Sequence, residues 1–167
     1  MIVYVIDGYN VLLSEPRYRD LADTDIDTAR AKLVSDVAGY VHGEADAVVV
    51  FDGAANPLSD GVHHDVAGVD VIFSPFGRDA DSVIEQIVAE RASRGDEVRV
   101  VTSDAETQWV ALGQGALRIS STGFVGRIRE DAPGTEDRDD LGTTVVPLDQ
   151  RIAPGVRDAL ARWVRGR

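Results

Sequence analysis

Aspartates that directly follow predicted strands are the first residues of this sequence with a potential for chemistry. Each of three short apolar runs is followed by such a residue, and the three are Asp7, Asp52 and Asp104. They are spaced roughly 50 residues apart along the chain. In an open parallel sheet the carboxyl ends of the strands lie along one edge, where ligands bind. We therefore expect the three carboxylates to converge.

Three further polar residues are expected near the same edge. Asp81 falls in the first turn of a predicted helix, and Glu85 lies four residues later on the same helical face. Asn10, three residues after Asp7, adds a neutral oxygen. An aspartate after a strand is also a common turn former and helix cap, so any one of these carboxylates alone has a purely structural explanation.

The chemistry of such a cluster follows from its charge. Two carboxylates about 4 Å apart repel by about 4 kcal/mol at an effective dielectric constant of about 20, so a cluster requires protons or a cation. Oxygen ligands in a chain without cysteine favour Mg²⁺ or Mn²⁺ over zinc. Such an ion suits phosphodiester hydrolysis, because it binds phosphate oxygens and lowers the pKa of its bound water.

A pair of histidines, the other main machinery for cutting RNA, is not predicted. His42 lies at the end of a predicted helix. His63 and His64 are neighbours, which an extended chain would point to opposite sides. We interpret His63 and His64 as loop residues without a catalytic role.

Short β-branched runs flanked by glycine, proline or aspartate predict buried strands. They are Ile2–Ile6, Ala47–Phe51, Val69–Phe73 and Val98–Thr102, with Ala116–Ile119 as a candidate fifth. Helical periodicity appears between them. One helix is predicted to begin at Thr24, with Asp27 completing a variant of the capping box.

Three more helices are predicted further along the chain. One has a single apolar stripe formed by Ala80, Val83, Ile84, Ile87 and Val88. Another runs from Asp104 to Gly113, and a short one covers Ser121–Glu130. Strands alternating with helices predict an α/β fold of three layers, a mostly parallel sheet with helices on both faces.

The length of 167 residues suffices for one domain with a sizeable core. We assign residues 1–130 to that domain, 131–149 to an acidic linker and 150–167 to a basic C-terminal helix packing on the domain. The linker carries six acids and one arginine, whereas the last segment carries five arginines and one aspartate. The amphipathic pattern of Gly155 to Arg165 predicts the helix.

Composition excludes several classes of site and location. The absence of cysteine removes disulfides, thiolate metal sites and a thiol nucleophile. The first six residues have no basic leader, and Asp7 halts their apolar run, so neither a signal peptide nor a membrane span is predicted. We expect a soluble, cytoplasmic protein that does not bind membranes.

The net charge of −12 argues against nucleic acid as a partner, because an acidic surface repels phosphates. One explanation of this charge composition is a general preference for Asp over Glu and for Arg over Lys, since 21 of the 29 acids are Asp and 16 of the 17 bases are Arg. A protein of this charge that binds RNA must present a local basic path.

Four separated motifs resemble one known family. The segments VIDGYNVL, VVVFDG, VIFSPFGRDADSVIE and VTSDAETQWVALGQGALRIS are similar to the YacP-like branch of the NYN domain, a relative of the PIN-domain nucleases. The resemblance covers about residues 1–130 and implies a metal-dependent endoribonuclease acting on single-stranded RNA. It matches Asp7, Asn10, Asp81 and Asp104 to the acidic site. Other motif positions are matched by Asp52, Ser103, Glu85 and Arg118.

The resemblance and the chemistry together yield a hypothesis for the site. Asp7, Asp81 and Asp104 hold one Mg²⁺ or Mn²⁺, and Asn10 fixes the geometry of the ligands. The remaining acids, Asp52 and Glu85, orient a metal-bound water or support a second ion, with Ser103 beside them. Attack by water leaves a 5′-phosphate and a 3′-hydroxyl. The candidate phosphate contacts are Arg78, Arg118, Arg127 and Arg129.

The negative net charge also affects which partner and which alternative functions we expect for this protein. Weak affinity for free RNA leads to the hypothesis that the substrate is mRNA delivered by a partner such as the ribosome. The main alternative is a non-catalytic RNA- or ribosome-binding protein that retains the acidic pocket. A receiver domain is disfavoured because it needs a lysine after its fifth strand, whereas the only lysine of this sequence, Lys32, lies in a predicted helix. An aspartyl phosphatase is disfavoured because it needs a second aspartate two residues after the first one, and position 9 is Tyr9. The sequence assigns no oligomeric state.

Overall fold

The computed structural model describes residues 1–104, 113 and 115–132. Within these ranges the chain forms a six-stranded sheet with the order β3-β4-β2-β1-β5-β6. The strands are β1 (Ile2–Asp7), β2 (Asp46–Phe51), β3 (His63–Val66), β4 (Val69–Phe73), β5 (Glu97–Val101) and β6 (Leu117–Ile119). All neighbouring strands are parallel except β3, which is antiparallel to β4.

Five helices accompany the sheet in the described part of the chain. They are α1 (Gly8–Ser14), α2 (Pro16–Thr24), α3 (Ile26–Val41), α4 (Ala80–Ser93) and α5 (Ser121–Asp131). The predicted α/β class, with its mostly parallel sheet, is confirmed. None of the described helices is long and apolar enough to cross a membrane.

Helices cover both faces of the sheet. Successive residues of a strand point to opposite sides, so each strand contributes side chains to the packing on both faces. In β1, Val3 and Val5 pack in the cluster that contains the apolar side of α4. Tyr4 and Ile6 pack in the second cluster, with side chains from α1, α2, α3 and α5. All four of these β1 side chains are buried, so the middle of the sheet lies between two cores.

The predicted stripe on α4 is confirmed, since the five buried residues of that helix are the five apolar residues of the pattern. The helix predicted at Ser121–Glu130 is also present, as α5. The Ser120 side chain caps α5 by accepting a hydrogen bond from the backbone N–H of Gly123 at 3.1 Å. These elements were recognisable because their burial follows a local period.

The start of α3, the longest of the described helices, differs from the prediction by one residue. Asp25, not Thr24, caps α3: its Oδ1 accepts hydrogen bonds from the backbone N–H groups of Asp27 and Thr28 at 3.0 and 3.4 Å. Thr24 is the last residue of α2. Neither α1 nor α2 was predicted, and together they occupy almost all of the chain between β1 and α3.

The interpretation of His63 and His64 as loop residues is wrong, because both lie on β3. This strand forms a hairpin with β4 through Ala67 and Gly68, which have φ values of 56° and 81°. Two consecutive positive φ values are typical of the tight turns that join antiparallel strands. The pattern was missed because an edge strand with three polar residues out of four lacks apolar alternation.

Several predictions fall outside the described residues. They include most of the helix predicted from Asp104 to Gly113, Trp109 within it, the linker beyond Ala132 and the basic C-terminal helix. Asp131, the first residue assigned to the linker, is the last residue of α5.

Candidate active site

The topology brings the ends of three adjacent strands together. Asp7 is the last residue of β1 and also caps α1, where its Oδ1 accepts a hydrogen bond from the backbone N–H of Asn10 at 3.3 Å. Asp52 directly follows β2, and Asp104 lies three residues beyond β5. Because β2 and β5 flank β1 in the sheet, the three carboxylates share one edge.

A cleft of about 480 Å³ opens at this edge and is called here the acidic cleft. Asp81 reaches it from the first turn of α4. The five residues expected to be catalytic all line it, and they are Asp7, Asn10, Asp52, Asp81 and Asp104. Its other walls come from Tyr9, Leu13, Ser14 and Ala80.

The carboxylates in the acidic cleft influence one another electrostatically. The pKa of Asp7 rises from 3.8 to about 6, chiefly because burial penalises its charged form. The hydrogen bond from Asn10 opposes this rise, whereas the negative charges of Asp81, Asp104 and Asp52 add to it. Ionised Asp7 is therefore stabilised by any cation that enters the cleft.

The donors of the cleft fit a hard divalent ion in their chemistry. Carboxylate and amide oxygens are the protein ligands of Mg²⁺ and Mn²⁺. Among the described residues, however, no three acidic or histidine side chains converge closely enough to form a ready coordination shell. The cleft thus supplies the right atoms and charge, with its carboxylates spread around the walls.

Asn10 has a structural role that its position in the sequence does not indicate. Its Oδ1 accepts a hydrogen bond from the backbone N–H of Ser103 at 2.8 Å and another from Oγ of Ser121 at 2.7 Å. The backbone N–H of Ser121 in turn donates to Oγ of Ser103 at 3.1 Å. An amide oxygen has two lone pairs, so both are occupied. Asn10 thereby holds the loop that carries Asp104.

Ser121 was not predicted to take part in the site. It is the first residue of α5 and completely buried, and it lies 111 residues from its partner Asn10. Neither its type nor its spacing distinguishes it from an ordinary serine near a helix start. Sequence reasoning had no signal with which to find it.

Two other candidate residues lie outside the walls of the acidic cleft. Glu85 is half-buried on α4, one turn beyond Asp81. Ser103 immediately precedes Asp104 and contacts Asn10 and Ser121 instead of the cleft.

None of the four arginines predicted to bind phosphate lines the acidic cleft. Arg78 donates to the backbone oxygen of Ser82 at 3.2 Å and to Oε1 of Gln86 at 2.9 Å, so it lies along α4. Arg118 is exposed on the edge strand β6. Arg127 and Arg129 project from α5, and Arg129 lines a second cleft.

Comparison with known proteins identifies the family. The sequence model of the YacP-like NYN domain matches residues 4–165, which extends beyond residue 130, where the recognisable motifs end. The uncharacterized protein YacP of Bacillus subtilis (strain 168) is 29% identical over 170 residues, which cover 99% of this chain and 98% of that protein.

Solved structures of a Bacillus subtilis protein show the same architecture. A crystal structure of a mutant form of Rae1 (YacP) matches with a TM-score of 0.66 and 30% identity, covering 78% of this chain and 77% of that one. A second crystal structure of Rae1 (YacP) matches with a TM-score of 0.64 and 28% identity, covering 78% and 75%. With a family match over nearly its whole length, the chain belongs to the YacP-like NYN domain family.

Proposed function

We propose that this protein is a metal-dependent endoribonuclease that cleaves single-stranded RNA, with water as the nucleophile and with 5′-phosphate and 3′-hydroxyl ends as products. Membership of the YacP-like NYN family suggests a nuclease-like role related to RNA. The observation that carries the proposal is the acidic cleft, which is lined by four carboxylates and one amide from four separate parts of the chain.

The proposed metal ligands are Asp7, Asp81 and Asp104. Each lines the acidic cleft, and the charges of the other two raise the pKa of Asp7. A bound Mg²⁺ or Mn²⁺ would offset this negative charge and act as a Lewis acid toward the phosphodiester.

The remaining residues of the site receive supporting roles. Asp52 lines the cleft and is the better placed of the two acids proposed to orient the attacking water, whereas Glu85 lies outside its walls. Oδ1 of Asp52 accepts a hydrogen bond from the backbone N–H of Ala54 at 2.8 Å, which holds this carboxylate at the start of its loop. Asn10 positions the loop of Asp104 through Ser103.

The proposed setting is the cytoplasm, with mRNA on the ribosome as the substrate. The net charge of −12 disfavours strong binding of free RNA, so delivery by a larger partner would raise the local concentration of substrate at the cleft. This part of the proposal rests on charge and on the family.

A second candidate function is that of a non-catalytic RNA- or ribosome-binding protein. The observation that favours it is the spread of the carboxylates, since no three described side chains form a ready metal shell. The two functions differ in one measurable respect, which is turnover.

The deciding experiment incubates purified protein with 5′-labelled single-stranded RNA in Mg²⁺, in Mn²⁺ or in EDTA. We expect cleavage with either metal and none in EDTA. Asp7→Asn and Asp104→Asn should each lower the rate at least about 100-fold, as expected for groups that stabilise a transition state. Asp20→Asn, which removes the same charge from an exposed position of α2, is the matched control and should cleave normally.

Failure of the wild-type protein to cleave in either metal, with RNA still bound, would favour the binding function. Equal cleavage by Asp7→Asn and Asp20→Asn would show that the activity does not depend on the acidic cleft.

A further inference from the structure

A second cleft of about 580 Å³ lies where the start of α2 meets α3 and α5. Three cationic side chains line it, those of Arg17, Lys32 and Arg129, and we call it the basic cleft. Two carboxylates, of Glu15 and Asp36, also belong to its walls, so the lining carries one excess positive charge. This positive lining contrasts with the net charge of −12 of the whole chain.

Two of the cations are held in place by a carboxylate that the core itself orients. The hydroxyl of Tyr18, which is completely buried, donates to Oδ2 of Asp36 at 2.8 Å. Asp36 pairs with Lys32, and it lies 3.6 Å from the guanidinium of Arg17. Because the position of Asp36 is fixed by Tyr18, the two cations have lost part of their side-chain freedom before any ligand binds.

The same cations retain capacity for an anion. The ammonium of Lys32 has three donors and the guanidinium of Arg17 has five, which is more than one carboxylate can use. The 3.6 Å contact of Arg17 is also longer than a hydrogen bond. The side chains of Lys32 and Arg17 remain 14% and 36% exposed, so spare donors of both are open to a phosphate group that enters the cleft while Asp36 stays in place.

The two clefts are direct neighbours. Ser14 lines the acidic cleft and the next residue, Glu15, lines the basic one. Consecutive residues of α5 are bonded to both: Ser121 donates to Asn10, and Oγ1 of Thr122 donates to Oε1 of Glu15 at 2.7 Å. The seven residues of α1 that separate the catalytic carboxylate from Glu15 span about 10 Å. A strand of a few nucleotides is long enough to span such a distance.

We propose that the basic cleft binds phosphate groups of the RNA strand whose neighbouring segment occupies the acidic cleft. The proposal rests on RNA being the substrate, and it adds Arg17 and Lys32 to the residues that contact it. The acidic cleft repels the phosphates that it must admit, and the adjacent cations supply the attraction that holds the strand in place. Contacts of this kind fix the position of a strand and are insensitive to its sequence.

The test measures binding of a fluorescein-labelled single-stranded RNA by anisotropy in EDTA, at several salt concentrations between about 50 and 200 mM. We expect Lys32→Gln and Arg129→Gln each to weaken binding roughly 5-fold. Each should also lower the slope of log K against log salt by about 0.7, the value for one lost contact to a single strand. Arg94→Gln is the matched control, since Arg94 is exposed at the far end of α4 and pairs with Glu90.

Arg129 is exposed, so its substitution keeps the test valid even if loss of the Lys32–Asp36 pair unfolds the protein. Affinities and slopes of Arg129→Gln equal to those of Arg94→Gln would overturn the proposal. So would an absence of RNA binding by the wild-type protein at the lowest salt concentration. Unchanged affinity for the labelled RNA with weaker co-sedimentation with ribosomes would overturn it as well, and would assign the cleft to a contact with the ribosome instead of with the substrate strand.

Measurement in EDTA separates this proposal from the proposed enzymatic activity. If RNA binding depends on the basic cleft but no RNA is cleaved in either metal, the basic cleft is supported as an RNA-binding site and the proposed nuclease activity is rejected. If the variants of the basic cleft bind RNA with wild-type affinity and cleave it normally, the proposed nuclease activity is retained and the basic cleft is rejected as an RNA-binding site.

Discussion

The amide oxygen of Asn10 accepts a hydrogen bond from the backbone N–H of Ser103 at 2.8 Å, and this contact joins the first turn after β1 to the loop after β5. The two strands are adjacent and parallel, but their hydrogen-bonded register ends before Ser103. Beyond that point the Asn10 side chain continues the connection. It therefore determines where the loop that carries Asp104 stands relative to Asp7.

The first prediction concerns this connection. Asn10→Ala removes two hydrogen bonds at once and should lower the free energy of unfolding by about 2 kcal/mol. Ser121→Ala removes one of the same bonds, so the double variant should be less destabilised than the sum of the single ones, by about 1 kcal/mol. Urea unfolding of the four proteins completes the cycle. Strict additivity would contradict the shared network.

A second prediction follows from the raised pKa of Asp7. Between the pKa of 3.8 expected in the unfolded chain and that of about 6 in the fold, the folded state binds more protons. Stability of the metal-free protein should therefore fall as the pH rises through this range, by at most about 3 kcal/mol for this group.

Asp7→Asn should remove that loss, since asparagine does not ionise and its side-chain oxygen can still cap α1. We expect the variant to be more stable than wild type at pH 7.5 in EDTA, by about 1 to 3 kcal/mol, and to gain little at pH 3.5. Unfolding at both pH values measures the difference, and Asp20→Asn serves as the control. A gain that is the same at both pH values would not come from this titration.

The third prediction concerns metal binding without reference to RNA. If the carboxylates of the acidic cleft bind Mn²⁺, the ion should raise the unfolding free energy of the wild-type protein by about 2.7 kcal/mol at a concentration 100 times its dissociation constant. The effect should be much smaller for Asp104→Asn. Thermal unfolding with and without Mn²⁺ provides the measurement, and equal shifts in both proteins would locate the ion elsewhere.

The fourth prediction concerns Gly53, which follows Asp52 where the chain turns away from the sheet. A Cβ at this position would stand 2.3 Å from the backbone oxygen of Ser74 and 2.4 Å from Oγ of Ser59. Gly53→Ala should thus cost about 1 to 3 kcal/mol and displace Asp52. Gly39→Ala, in the last turn of α3 with nothing within 4 Å, should instead stabilise by about 0.5 to 1 kcal/mol. Thermal or urea unfolding compares them, and equal effects would contradict the close packing at Gly53.

The layout of the acidic cleft was largely predictable from the sequence. Asp7 ends one strand and Asp52 follows another, both strands are recognisable by their burial, and parallel strands end at the same edge whatever the details of packing. Asp81 was predictable for a similar reason, because the stripe of α4 shows where that helix begins.

The arginines illustrate where such reasoning stops. Arg78 and Arg118 were chosen as phosphate contacts for their charge and their position in motifs, yet neither lines the acidic cleft. Arg17 and Lys32 were not predicted as phosphate contacts, although they line a cavity next to it. Charge along the chain does not reveal which cations face the same space.

The amino-acid sequence by itself determined the α/β class, five of the six strands described in the sheet and the edge at which the carboxylates gather, because burial and strand direction follow local periods. Only the tertiary structure decided that Asn10 bonds to Ser121, that the histidine pair belongs to an edge strand, and that a basic cleft adjoins the acidic one. The first and the last of these features depend on how helices that are distant in the sequence pack together, whereas the edge strand was missed because it lacks apolar alternation. Contacts between residues more than a hundred positions apart leave no trace in a local pattern.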